Sequence, residues 1–547
     1  MLKTKIYIIF FLIFLLFALN IFFFTDLNFI EKTIFIYEGV GLIKASIYVI
    51  SVFFALLSLA LLFFIHNKLL YTLALIFILL SYAINFIYFD INNATINSTD
   101  INIITQEADN FALAALSTFS DSILQAMFPT IILFFIFFFI RKMIHKHNLY
   151  TSKKIIFPIF IVAIIGIYII VDATEYGINE YPSPIKITET VLYNMTNKKY
   201  YGLRDVLNKV PKNVKKYNNI IWIIDESVGG RYLSINGYNK KTTPYLKELK
   251  NNILNLGIAS SGANRSGLSN LILMSGIQPK QLPDLENISL KNPSIFQYAK
   301  NAGFSTAYIS GQSHNHKLQN FITEYDLNHI DTFYQPTNEN KEILDQVPEK
   351  YIIDYVSKVL KEHKSNFIYI VKAGAHFPYE HAYPKEQKIF HPTLNKNESM
   401  HGKKEKSINS YLNAIRWKVD EFFRHFFKAT NILERDDTLI IYTSDHGQSI
   451  LENGVLTTHS TAKNPPKTQG IVPLILFAKN TETIKRDFMH IKNKATHFML
   501  FPTTLKLMGY EEDNAETLFD KKIKQKQIFI SGHFFEKNNF NQTSIGK

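Results

Sequence analysis

Asn219-Ile220-Ile221-Trp222-Ile223-Ile224-Asp225-Glu226-Ser227 is the stretch from which the rest of the chain is read. A short run of large apolar residues, mostly β-branched isoleucine, ends abruptly in two carboxylates and a hydroxyl. A run of that length without polar alternation predicts a strand buried on both faces, as in a parallel sheet. Similar runs recur at residues 253–259, 306–309, 367–371, 438–442 and 472–477, with helical stretches between them. Such alternation predicts an α/β domain with a mostly parallel central sheet.

In a parallel sheet, ligands bind outside the carboxyl ends of the strands. The residues found there are Asp225-Glu226-Ser227, the segment Ser260-Ser261-Gly262-Ala263-Asn264-Arg265-Ser266, and Ser310-Gly311-Gln312-Ser313-His314-Asn315-His316. Gly374-Ala375-His376 and Ser444-Asp445-His446-Gly447 follow the next two runs. One carboxylate after one strand is usually a helix cap or a solvated turn. Carboxylates, imidazoles and hydroxyls at five strand ends together predict a site. The chain has no cysteine, which excludes a disulfide framework, thiolate metal ligands and a thiol nucleophile. Glu226, Asp445 and His446 are ligand types suited to zinc or manganese. A hydroxyl completing such a shell loses its proton and becomes a nucleophile for phosphorus or sulfur, so phosphoryl-type transfer is expected.

Upstream of residue 219 the chain reads differently. The 547 residues are 47% hydrophobic with 46 Phe, yet the mean hydropathy is only +0.01, so a very apolar part must balance an ordinary polar one. Residues 6–24, 47–65, 69–89, 123–140 and 155–171 are nearly free of charge and predict about five transmembrane helices. The first run is longer than a signal-peptide core and lacks an A-x-A-like site, so it is expected to remain as an anchor. Lys3, Lys5, the 66–68 segment, Arg141, Lys142, Lys146, Lys153 and Lys154 alternate with loops carrying Asp26, Asp90, Asp100, Asp109 and Asp172. That asymmetry predicts a cytoplasmic amino terminus and places everything after residue 171 outside. The expected organisation is a transmembrane domain at 1–172, a linker with an interfacial helix at 173–217, and a catalytic domain at 218–547. The net charge of +13 is spread over scattered lysines, which speaks against nucleic acid and for anionic lipid surfaces. Lys403, Lys404 and Lys406 read as a solvated loop.

Several blocks resemble the alkaline phosphatase and sulfatase superfamily, and more closely the membrane-anchored phosphoethanolamine transferases that modify lipid A or core sugars of lipopolysaccharide. Ile223-Ile224-Asp225-Glu226-Ser227, Ser234-Ile235-Asn236-Gly237-Tyr238 and Thr242-Thr243-Pro244 are similar to the family's first block. Thr243-Pro244 also reads as the cap and first residue of a helix at 245–250. Ser444-Asp445-His446-Gly447-Gln448-Ser449 with Glu452-Asn453-Gly454 and His459 resembles its Asp-His-Gly block, and Ala375-His376-Phe377-Pro378-Tyr379 a further histidine segment. The resemblance implies Glu226, Asp445 and His446 as zinc ligands, and His376 and His459, with Asn264 nearby, as phosphate-binding residues. The family usually uses a threonine nucleophile in a Gly-Thr-x-Thr-like segment and carries several disulfides; here the matching segment offers serines and no cysteine. Asp225 and Arg231 also stand where other residues are usual. Ser266 falls closest to that threonine and opens a helix, where backbone N–H groups can hold phosphate oxygens, so it is expected as nucleophile and fourth metal ligand. Ser260 and Ser261 are the alternatives at the strand end, and Ser269 is expected one turn along the helix. His314 and His316 have no counterpart and read as a solvated loop.

The resemblance further implies one or two zinc ions, with manganese as the alternative, phosphatidylethanolamine as donor and lipopolysaccharide or lipooligosaccharide as acceptor, at a lipid A phosphate or a core heptose. It implies a multi-pass protein of the bacterial inner membrane with its catalytic domain in the periplasm. The rival readings are a phosphoglycerol transferase or sulfatase-like phosphohydrolase on the same fold, and a non-catalytic glycolipid-binding membrane protein.

Overall fold

The computed structural model describes residues 2–24, 41–92, 120–152, 181–188, 204–531 with short interruptions, and 541–545, along with isolated residues between these stretches. They fall into two compact units that divide between Tyr200 and Tyr201.

In the first unit, helices α1 (Leu2–Phe24), α2 (Leu42–Leu62), α3 (Lys68–Asn92) and α4 (Ser120–Lys146) are each long and apolar enough to cross a membrane. Leu12, Leu16, Tyr48, Ala55, Tyr82 and Phe137 are fully buried among them, whereas Phe10, Phe14, Phe128 and Phe139 point outward, as expected where lipid replaces water. Arg141, near the end of α4, donates to Phe63 O at 2.7 Å and lies over the rings of Tyr71 and Tyr150. Lys5 Nζ donates to Tyr150 O at 3.2 Å. The amino end of α1 and the carboxyl end of α4 therefore share one end of the bundle, and both are basic. In the fifth expected span, 155–171, every described residue is helical, and Ala163 and Ile167 are buried with the core of this unit.

The second unit is built on a seven-stranded sheet. In chain order its main elements are β1 (Asn219–Asp225), α5 (Pro244–Glu248), β2 (Ile253–Ser260), α6 (Ser266–Ser275), α7 (Ile295–Asn301), β3 (Ser305–Ser310), β4 (Thr332–Tyr334), α8 (Lys350–Glu362), β5 (Asn366–Val371), α9 (Lys404–Ile415), α10 (Phe422–Thr430), β6 (Thr438–Ser444), β7 (Ile471–Phe477), α11 (Leu500–Leu507), β8 (Ile528–Ser531) and β9 (Asn541–Ser544). The strand order is β2-β7-β6-β1-β5-β3-β4, and β8 pairs with β9 apart from it. Only β7 runs against its neighbours in the large sheet, so the other strands all end at one edge. β1 is central and wholly buried. Trp222 and Ile224 pack on one face with Phe296, Tyr369 and Leu505, and Ile221 and Ile223 on the other with Ile352, Ile368 and Phe423. Each such side chain contributes roughly 1.5–3 kcal/mol by leaving water.

Within the expected linker, residues 183–188 are helical, while residues 204–217 carry no regular secondary structure. Pro211 has no N–H, and the N–H groups of Lys212 and Asn213 go to Gly509 O instead of a helical ladder. At α5 the Thr243 hydroxyl does not cap the helix but accepts from Ile235 N at 2.9 Å. The Asp420 carboxylate, distant in sequence, accepts from Tyr245 N and Leu246 N, each at 3.0 Å. The lysines at 403–406 open α9, and Lys403 and Lys406 both reach Glu398.

Candidate active site

Because β1, β2 and β6 end at one edge, Glu226, the Ser260–Ser266 turn, and Asp445 with His446 converge there. Ser266 is the first residue of α6. Its hydroxyl donates to Glu226 Oε2 at 2.9 Å and lies 3.2 Å from His446 Nε2. His446 Nε2 is also 3.2 Å from Glu226 Oε1 and 3.7 Å from Asp445 Oδ2. His446 Nδ1 faces Gly447 O at 2.9 Å, so Nδ1 carries a proton and Nε2 is the nitrogen turned into the cluster. Asp445 Oδ1 accepts from Ser227 N and His446 N, at 3.1 and 2.7 Å. Asp445 Oδ2 is buried and receives no hydrogen bond among the described residues.

Two carboxylates and an imidazole thus sit in the interior with ligand atoms within 4.8 Å of one another. Such a cluster demands positive charge. Burial pushes the Asp445 carboxyl well above its ordinary range, and the charge of Glu226 adds to this. Glu226 is held well below its range by His446 even though burial acts the other way. Burial opposes protonation of His446, yet Asp445 and Glu226 together push it up to about 9. A divalent cation meets the same demand, and the orphaned Asp445 oxygen together with the donor set of Glu226, Asp445, His446 and Ser266 fits zinc.

The other expected residues are distributed as follows. The His446 and His459 rings stack with centroids 4.4 Å apart, and His376 meets His459 edge-on at 5.4 Å. Burial, reinforced by His446 and His376, holds His459 well below its ordinary range, so it stays neutral. Asn264 is brought near by sequence but not by function: its amide donates to Thr461 O and Gln469 Oε1 at 2.9 and 2.8 Å, and its N–H to Ile530 O. No hydrogen of Asn264 is left for a phosphoryl oxygen. The Ser261 hydroxyl donates to Ala263 O at 2.8 Å, and Ser260 and Ser261 are both fully buried. Ser269 donates to Asp445 O and receives Ala263 N at 3.2 Å, tying the turn to the end of β6. His314 and His316 lie outside the described residues.

Sequence reasoning passed over several contributors. Gln312 donates to Glu226 Oε2 at 2.6 Å. His497 takes Gly262 N on Nδ1 at 3.1 Å and meets Thr443 Oγ1 on Nε2 at 3.0 Å. Lys372 Nζ, wholly buried, reaches Asp225 Oδ2 at 2.8 Å and Glu349 Oε2 at 3.3 Å. Asp225 Oδ1 accepts Glu226 N, and Glu349 Oε1 accepts Ala373 N, so this ion cluster braces both the Glu226 backbone and the loop leading to His376. Gln312 and Lys372 each lie within two residues of a strand end, which is the one signal that pointed to them.

A family model described as Sulfatase matches residues 218–510, more than half of the chain. Kdo(2)-lipid A phosphoethanolamine 7''-transferase of Salmonella typhimurium is 25% identical over 308 residues, covering 54% of this chain and 52% of that protein. Phosphoethanolamine transferase EptA of Helicobacter pylori is 26% identical over 296 residues, covering 52% of each. The chain spans about half the length of the curated relatives it matches. Among solved structures, the integral membrane protein lipooligosaccharide phosphoethanolamine transferase A (EptA) of Neisseria meningitidis is similar with a TM-score of 0.59 at 18% identity, covering 92% of this chain and 96% of that one. The C-terminal periplasmic domain of EcEptC from Escherichia coli, in complex with Zn, is similar with a TM-score of 0.52 at 19% identity, covering 63% and 97%. At these identities the likeness establishes the fold, apolar helices followed by an alkaline-phosphatase-like domain.

Proposed function

The chain belongs to the sulfatase family, and from that premise we propose that it is a zinc-dependent phosphoethanolamine transferase of the bacterial inner membrane. It takes the phosphoethanolamine group from phosphatidylethanolamine and passes it to lipopolysaccharide or lipooligosaccharide on the periplasmic side. The observation that carries this reading is the Ser266 hydroxyl at the start of α6, within hydrogen-bond reach of both Glu226 and His446. The names of the relatives support the transferred group and the acceptor class. Four apolar helices support a donor drawn from the bilayer.

Glu226, Asp445, His446 and Ser266 would hold the zinc, which supplies the positive charge that favours the serine alkoxide and the charge building on phosphorus. The Ser266 proton, which points at Glu226 Oε2, is the one that leaves. Ser266 Oγ then bonds to the donor phosphorus while the bond from phosphorus to the diacylglycerol oxygen breaks, and that oxygen takes a proton. In the second half, an acceptor hydroxyl that gives up its proton, or a phosphate oxygen, bonds to the same phosphorus while the bond from phosphorus to Ser266 Oγ breaks and Ser266 takes back a proton. His376, His459 and the first-turn N–H groups of α6 bind the phosphoryl oxygens in both halves.

The test is to incubate the full-length protein in detergent with phosphatidylethanolamine and map the adduct by peptide mass spectrometry. Phosphoethanolamine on Ser266 is the expected result, with Ser266→Ala folded, zinc-loaded and unable to cleave donor, and Ser261→Ala much less affected. An unchanged transfer rate in Ser266→Ala, with no adduct on any hydroxyl, refutes the covalent route.

A further inference from the structure

The loop leaving β3 meets the site at two points. Gln312 gives its Nε2–H to Glu226 Oε2 at 2.6 Å, the same oxygen that takes the Ser266 hydroxyl at 2.9 Å. Asn320 in turn gives its Nδ2–H to Gln312 Oε1 at 2.8 Å. A side-chain amide can turn over and present oxygen in place of nitrogen, and a donor held on its oxygen prevents this. Asn320 has φ 55° and Phe321 φ 62°; asparagine tolerates that left-handed region better than most residues. The turn sets the Phe321 ring against Gly267, where a β-carbon would come within 3.1 Å of it. One loop thus touches both the Glu226 carboxylate and the residue after Ser266. Its far end is anchored, since the buried Arg204 guanidinium holds Asp326 at 2.5 and 3.3 Å. Asp326 Oδ2 also accepts Thr323 N at 3.0 Å.

We propose that Gln312, oriented by Asn320, is a positioning residue of the metal site that fixes the rotation of the Glu226 carboxylate. The inference rests on Glu226 being a metal ligand, as read above. Oε1 takes the Ser227 hydroxyl at 2.7 Å and faces His446, and Gln312 on Oε2 fixes the second oxygen, so that the carboxylate plane is held at both ends. A carboxylate free to rotate must be ordered when the ion arrives, and removing such an outer partner lowers metal affinity by roughly tenfold to hundredfold. Gln312 is uncharged and half-buried, so its truncation orphans no buried charge.

The test measures the zinc dissociation constant of the full-length protein in detergent by competition with a chromophoric chelator, for the wild type, Gln312→Ala and Asn320→Gly. Glycine keeps the left-handed backbone of residue 320 while removing the amide. The expected result is zinc binding weaker by roughly tenfold to hundredfold in Gln312→Ala and by severalfold in Asn320→Gly. The KM for phosphatidylethanolamine should be unchanged, and kcat should return toward the wild-type value at saturating zinc. Zinc affinity within twofold of wild type in both variants overturns the inference, as does a raised KM with unaltered zinc affinity, which would put Gln312 on the substrate. Should Gln312→Ala fail to fold, Asn320→Gly decides alone. A wild-type protein that binds zinc as described but never cleaves the donor would sink the transferase reading and leave this inference standing.

Discussion

Replacing Lys372 with methionine tests how the second unit tolerates the buried charges behind its site. Lys372, Asp225 and Glu349 are fully buried, and Lys418 nearly so, giving two positive and two negative groups. Lys372 Nζ lies 2.8 Å from Asp225 and 3.3 Å from Glu349, and 4.1 Å from the centre of the Phe422 ring. Methionine fills the volume of the stem but leaves the carboxylates with Lys418 alone. Breaking a buried pair by removing one partner costs about 3–5 kcal/mol, a large part of the roughly 5–15 kcal/mol that holds a domain folded. At roughly 2–4 °C per kcal/mol for a domain of this size, the melting temperature should fall by about 6–20 °C. The chain has two tryptophans, and Trp222 and Trp417 are both buried in this unit, so intrinsic fluorescence of the full-length protein follows its unfolding without a signal from the membrane helices. Adding Asp225→Asn removes one surplus charge while keeping an acceptor for Glu226 N, and should recover a large share of the loss. A single variant that melts within about 2 °C of wild type refutes the reasoning, because less than about 1 kcal/mol is then at stake. A double variant no better than the single one refutes the charge argument specifically.

Burial, with His446 adding to it, pushes the imidazole of His497 down to about 3 from an ordinary 6.5. The unfolded chain therefore takes up a proton that the folded one refuses. This contribution to stability is intact above about pH 6.5 and fades as pH falls toward 3, by at most about 1.4 kcal/mol per pH unit. Denaturation curves from pH 7 to 4 should show a shallower slope for His497→Gln; an equal slope would contradict it. Asp420→Ala should cost about 1–2 kcal/mol because Tyr245 N and Leu246 N lose their acceptors, and Asp420→Asn should recover only part of this, since its single amide oxygen can accept from one of the two N–H groups while its NH2 faces the other. Chelation should abolish donor cleavage and zinc should restore it. Asp445→Asn combined with His446→Ala should lose both the metal and the activity; full activity in that pair would show the site to be misplaced.

The strands and the site edge were legible in the sequence because burial on both faces leaves an unbroken apolar run, and the first polar residue after it must lie where the strand leaves the core. That logic reached Glu226, Asp445 and His446 from residues 220–224 and 438–442 alone. Charge-free stretches likewise marked the helices that can span a bilayer. Strand direction was not legible: β7 is an unbroken buried apolar run like the parallel strands of the sheet, and only its pairing with β2 and β6 shows it reversed. The three half-buried residues of β4 carry no pattern, since an edge strand that short is held by β3 rather than by its own side chains. Sequence also left Ser260, Ser261 and Ser266 as candidates. Which hydroxyl lies against Glu226 depends on where the turn after β2 gives way to α6, and that is set by Ser269, His497 and Ile530, all contacts across the fold. The cap supplied by Asp420, the brace of Lys372 and Glu349, and the grip of Gln312 on Glu226 are of the same kind. Local chemistry announces which groups a buried edge will expose, but the partner each one finds is chosen by elements far apart in sequence that only folding brings within 3 Å.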